Sequence, residues 1–149
     1  MGIPSDPLLD IIRRSIANLE FIEANYETHG LYEVTQLVNT FLGALIHPFE
    51  RSSKGKQFIE YFSNKPVPID VQYKIILEEN ISYYGFLKCI RHALAHGNIR
   101  YNPDKIKRIQ SVDFWKKEGN KKTFRCTLSL EEIKRLLVDF KICLEQLHK

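Results

Sequence analysis

Between residues 34 and 45, Val34, Leu37, Val38, Phe41, Leu42 and Leu45 recur at intervals of three and four. An α-helix turns about 100° per residue, so these six side chains form one continuous stripe. A strand would scatter them over both faces. The same spacing appears three more times: Leu8, Leu9, Ile12, Ile16, Leu19 and Ile22; Tyr83, Phe86, Leu87, Ile90 and Leu94; and Leu130, Ile133, Leu136, Leu137, Phe140, Leu144 and Leu147. Each stripe needs an apolar partner, and helices packed on one another provide it.

Stop and start signals bracket these stretches. Ser5 reads as an N-cap with Pro7 in the first turn, and Gly30 marks the end of the first helix. Pro48 closes the second. Ser82 opens the helix carrying Tyr83, and Gly97 ends it as a left-handed residue. Ser129 and Glu132 form a capping box for the last helix. Gln57–Phe62 reads as a short helix between the polar loop Arg51–Lys56 and the breaker segment Ser63–Pro68. Ile69–Glu79 has mixed character with a slight helical preference. After a loop containing Pro103, Ile109–Trp115 and Thr123–Leu128 have strand content, separated by Glu118-Gly119-Asn120, as in a β-hairpin. The expected fold class is mainly α: a helical bundle of four to five helices with a small β-hairpin before the last helix, in one domain over 1–149.

With 44% hydrophobic and 27% charged residues, the 149-residue chain can bury a core, which argues against disorder. A net charge of +4 permits nucleic-acid binding without demanding it. Cys89, Cys126 and Cys143 are odd in number and far apart, which argues against a disulfide framework and for a reducing compartment. The start MGIPSDPLLD lacks the charged and apolar regions of a signal peptide, and no apolar run approaches the roughly 20 residues that span a bilayer. The expectation is a cytoplasmic protein with no membrane association.

The chemistry-bearing segment is Arg91-His92-Ala93-Leu94-Ala95-His96-Gly97-Asn98. His92 and His96 lie one helical turn apart on the same side, and the long Arg91 side chain can swing toward them. The helix C-terminus carries partial negative charge, which favours protonated histidine, so a histidine here can titrate near neutral pH. RNA supplies its own nucleophile, the 2′-OH. A histidine can deprotonate it, an acid can protonate the departing 5′-oxygen, and a guanidinium can neutralise charge on the phosphorane. Each residue also has a plainer reading: Arg91 as an exposed helix arginine, His96 as a cap on the last carbonyls. His92 and His96 also have the spacing of half a metal site, but zinc needs a third ligand. Spacing alone leaves His47, His148 and the cysteines open.

Arg91, His92 and His96 form an R-x4-H element that resembles the signature of the HEPN superfamily, with His92 at the position after the arginine where Asn, Asp or His is usual. The Gly97-Asn98 pair, the run from Thr35 through Glu50 and the hairpin-then-helix ending are similar to a branch of small, single-domain HEPN nucleases. The resemblance implies a HEPN-like helical bundle and a homodimer with Arg91 and His96 of each protomer lining a cleft at the subunit interface. It also implies metal-independent endoribonuclease activity without a cofactor, leaving 2′,3′-cyclic phosphate and 5′-OH ends. The setting it implies is antiviral defence or a toxin–antitoxin system, with an antitoxin as a possible partner.

From Arg100 to Arg125, nine basic residues face three acidic ones, a net +6 that exceeds the whole chain's. Asn98, Arg100, Lys105, Lys107 and Arg108 are candidate RNA contacts. Trp115 and Phe124 are expected in the core rather than as stacking platforms, and Tyr83-Tyr84 as packing. Two other functions stay open on sequence grounds: a non-catalytic HEPN-type RNA- or nucleotide-binding module, and a helical protein-interaction module using the stripe at 34–45.

Overall fold

The computed structural model describes residues 7–29, 34–40, 55–68, 75–76, 81–147 and 149. Among the described residues there are five helical stretches: α1 (Pro7–His29), α2 (34–40), α3 (Gly55–Ser63), α4 (Tyr83–Ala95) and α5 (Leu130–Leu147). The strands are β1 (Ile75–Ile76), β2 (Ile99–Pro103), β3 (Ile109–Glu118) and β4 (Lys121–Ser129). Ser5, Gly30, Pro48 and the second half of the 34–45 stripe lie outside the described residues. Two compact units are formed, Met1–Phe58 with Ile133–Lys149, and Ile59–Glu132.

The first unit is helical. The stripes of α1 and α5 fulfil their spacing: Leu9, Ile12, Ile16 and Leu19 are buried on α1, and Ile133, Leu136, Leu137, Phe140 and Leu144 on α5. Leu37 and Val38 of α2 are buried as well. Each such side chain contributes about 1.5–3 kcal/mol by leaving water. Phe58 meets Phe140 edge-on at 5.7 Å. Ion pairs Arg13–Glu145 (3.0 Å) and Glu23–Lys134 (2.6 Å) run in opposite sequence order, so α1 and α5 are antiparallel. Exposed or half-exposed pairs of this kind add at most about 1 kcal/mol each; they set alignment more than stability.

The second unit is built on an antiparallel sheet of order β1-β4-β3-β2. Val112 and Phe114 of β3 and Phe124, Cys126 and Leu128 of β4 are buried on one face, the period of two that a half-buried strand requires. Phe86 of α4 meets Phe124 edge-on at 6.1 Å, and Tyr83 meets Phe62 of α3 at 5.2 Å. The β3–β4 turn places Gly119 at φ +61°, a left-handed conformation suited to glycine.

The sheet is larger than a small hairpin. Ile99–Pro103, expected as loop, pairs with β3 from Ile99↔Phe114 to Pro103↔Ile109. Ile75–Ile76, in the segment given a slight helical preference, pairs with Cys126 and Arg125 of β4. Strands therefore sit among the helices rather than only before the last one. The rest of 69–80 lies outside the described residues. At the β4–α5 junction the capping box forms as expected: the Ser129 amide donates to Glu132 Oε2 (2.8 Å) and the Glu132 amide to Ser129 Oγ (3.2 Å).

Candidate active site

Helix α4 starts at Ser82, an extended N-cap whose Oγ accepts from the Gly85 amide at 3.1 Å. Its apolar face, Tyr83, Phe86, Leu87, Ile90, Ala93 and Leu94, is buried. Burial of that face fixes the rotation of the helix and leaves Arg91 and His92 half-buried and His96 exposed.

The helix end is a Schellman motif. The Gly97 amide donates to the Leu94 carbonyl (3.3 Å) and the Asn98 amide to that of Ala93 (2.8 Å), with Gly97 at φ +66°. His96 is the C-cap residue, and its amide donates to the His92 carbonyl at 3.1 Å. The Asn98 carbonyl then accepts from the Trp115 amide (3.2 Å), tying the turn to β3. The backbone of the whole segment is thus hydrogen-bonded in place.

The two imidazoles are neighbours, with ring centroids 4.3 Å apart and planes inclined by 39°. His92 Nδ1 is sealed from solvent and has no hydrogen-bond partner among the described residues. Burial, then the positive charge of His96, Lys116 and Arg91, holds His92 below the ordinary histidine range. Burial at His92 thus works against the protonated form that a helix C-terminus favours. Among the described residues, no three His, Cys, Asp or Glu side chains cluster to hold a metal. His47 and His148 lie outside the described residues, and the three cysteines are separate buried thiols.

The candidate RNA contacts divide. Asn98 belongs to the turn directly after His96. Arg100 lies on β2 and is drawn to Asp113, its Nη2 2.7 Å from Oδ2. Lys105, Lys107 and Arg108 belong to the β2–β3 connection, where Asp104 Oδ1 accepts from the Ile106 and Arg108 amides (2.9 Å each) and Lys107 adopts φ +66°. Phe124 is buried as expected, whereas Trp115 is only half-buried. Lys116 is a neighbour that sequence reasoning counted among the basic residues without assigning it to the site. Its register on β3, across from Phe124, carries its charge toward His92.

The family model described as HEPN pEK499 p136 matches residues 1–149, the entire length. The chain belongs to this HEPN family. No curated protein and no solved structure matches it. HEPN membership points to nuclease or RNA-related function, and the mainly helical architecture is consistent with a HEPN fold. No helix among the described residues of this HEPN protein is long and apolar enough to cross a membrane.

Proposed function

We propose that the chain is a metal-independent endoribonuclease acting as a homodimer, with Arg91, His92 and His96 as its catalytic residues. The observation that carries this is the 4.3 Å imidazole pair beside Arg91 at a braced helix end. Two imidazoles this close resist double protonation, so one serves as base while the other serves as acid. His92, held neutral, takes the proton of the 2′-OH. The 2′-oxygen attacks phosphorus, the bond from phosphorus to the 5′-oxygen breaks, and exposed His96 protonates the departing oxygen. Arg91 neutralises the charge on the phosphorane. The products carry 2′,3′-cyclic phosphate and 5′-OH ends. A two-fold axis would bring two copies of this sparse site into one cleft. The same proposal covers a defence or toxin–antitoxin setting with an antitoxin partner, in the cytoplasm.

The test is an oligoribonucleotide incubated in EDTA beside a copy with one 2′-deoxy residue at the cleaved position. Cleavage of the first and not the second supports the mechanism. Equal cleavage of both contradicts 2′-OH attack, and binding without cleavage of either favours a HEPN-type binding module.

A further inference from the structure

The face of the sheet opposite its buried apolar residues carries a second cationic group of side chains. Strand alternation puts Arg100, Asp113, Trp115 and Arg125 there, away from Val112, Phe114 and Cys126. Asp113 is 3% exposed. Its Oδ1 accepts from Thr127 Oγ1 (2.7 Å) and Asn102 Nδ2 (2.9 Å). Its Oδ2 accepts from Arg100 Nη2 (2.7 Å) and Nε (3.2 Å). Burial alone would raise its pKa, but the hydrogen bonds from Thr127, Asn102 and Arg100, with the Arg100 charge, hold it below the usual carboxylate range. Asp113 is therefore an anion near neutral pH, already satisfied by these partners.

Arg125 is surplus to that requirement. Its Nη2 lies 3.6 Å from Asp113 Oδ2, close enough to be held by charge and too far for a good hydrogen bond. Its side chain is 41% exposed and that of Arg100 is 64% exposed, while the carboxylate between them is sealed. Solvent thus meets two guanidinium groups and little of their counter-charge. Trp115 pairs directly across from Arg125, and Lys122 Nζ sits 4.7 Å from the Trp115 ring centroid, adding a third cation.

We propose that this sheet face binds single-stranded RNA, with Arg100 and Arg125 clamping backbone phosphates, Asp113 positioning them, and Trp115 with Lys122 forming the adjoining contact. Paired guanidinium forks match phosphate oxygens, and Lys122, held over the half-buried Trp115 ring, adds a further cation beside them. Arg100 follows His96 by four residues through the Gly97 turn, on the edge strand of the sheet. A flexible single strand can bend around that edge from the α4 site, whereas a stiff duplex cannot. The choice of RNA as ligand rests on the function proposed above; the site is separate from its catalytic residues.

The probe is a fluorescein-labelled 15-nucleotide oligoadenylate, titrated into the full chain carrying His96→Ala. Anisotropy reports binding, and the intrinsic fluorescence of Trp115, the chain's single tryptophan, reports on the proposed face. The expected result is a Trp115 fluorescence change that saturates together with the anisotropy. Adding Arg100→Gln and Arg125→Gln should weaken binding at least tenfold and reduce the slope of log affinity against log salt by about 1.4, for two single-strand phosphate contacts. Absence of binding, or binding with silent Trp115 fluorescence, overturns the proposal; so does an unchanged salt slope in the folded double variant. If that variant does not fold, the Trp115 titration on the unaltered sheet decides alone. Arginine-dependent binding without cleavage by the wild type would sink the nuclease reading and keep this one. Cleavage with arginine-independent binding would do the reverse.

Discussion

The imidazole of His92 stands 4.3 Å from that of His96, and the inner ring has a nitrogen sealed from water while the outer residue is exposed. Two identical side chains one turn apart therefore occupy different surroundings. Differences of that kind divide one pair of groups into a base and an acid.

The His92 environment predicts a pH-dependent stability. Its folded pKa lies below the ordinary value of 6.5, so the unfolded chain takes up the proton first. The stabilisation is complete above 6.5 and is lost as pH falls through the lower folded value. Acidification from about pH 7.5 to about pH 5 should lower the melting temperature less in His92→Gln than in the wild type. Parallel curves for the two proteins would show that His92 titrates normally.

Gly97 should tolerate substitution according to backbone conformation rather than space. A Cβ there meets nothing within 4 Å among the described residues, but φ is +66°. Gly97→Ala should cost about 1 kcal/mol in urea denaturation, and Gly97→Asn less, because asparagine visits this region more readily. Equal stability of all three proteins would remove the Schellman turn as a determinant of the His96 position.

The capping box predicts a local loss. Ser129→Ala leaves the Glu132 amide without its acceptor and should destabilise the chain by about 1 kcal/mol. The midpoint of urea unfolding should shift without a change in slope.

The helical spacing and the caps at Ser82, Gly97 and Ser129 were legible in the sequence because each depends on residues within one or two turns. The strand β2 was not. Ile99-Arg100-Tyr101-Asn102-Pro103 is short and contains Asn and Pro, and its pairing with β3 is a longer-range relation that periodicity does not encode. Ile75–Ile76 was obscured for the same reason: two residues pair with a strand some fifty positions away. At the candidate site, the histidine spacing foretold the ring contact. The depressed His92 pKa did not follow from it, since burial and Lys116 arrive through tertiary packing. Trp115 reads as a core aromatic of a lysine-protected hairpin, yet alternation puts it on the face opposite Phe114 and Cys126.

The central claim is most directly tested by purified wild-type, Arg91→Ala and His96→Ala proteins incubated with RNA in EDTA, with the product ends identified. The account predicts cleavage by the wild type leaving 2′,3′-cyclic phosphates, and a loss of at least a hundredfold in each variant, in line with removal of a general acid–base or phosphate-stabilising group. Equal cleavage by all three proteins, or 3′-OH ends, would contradict it.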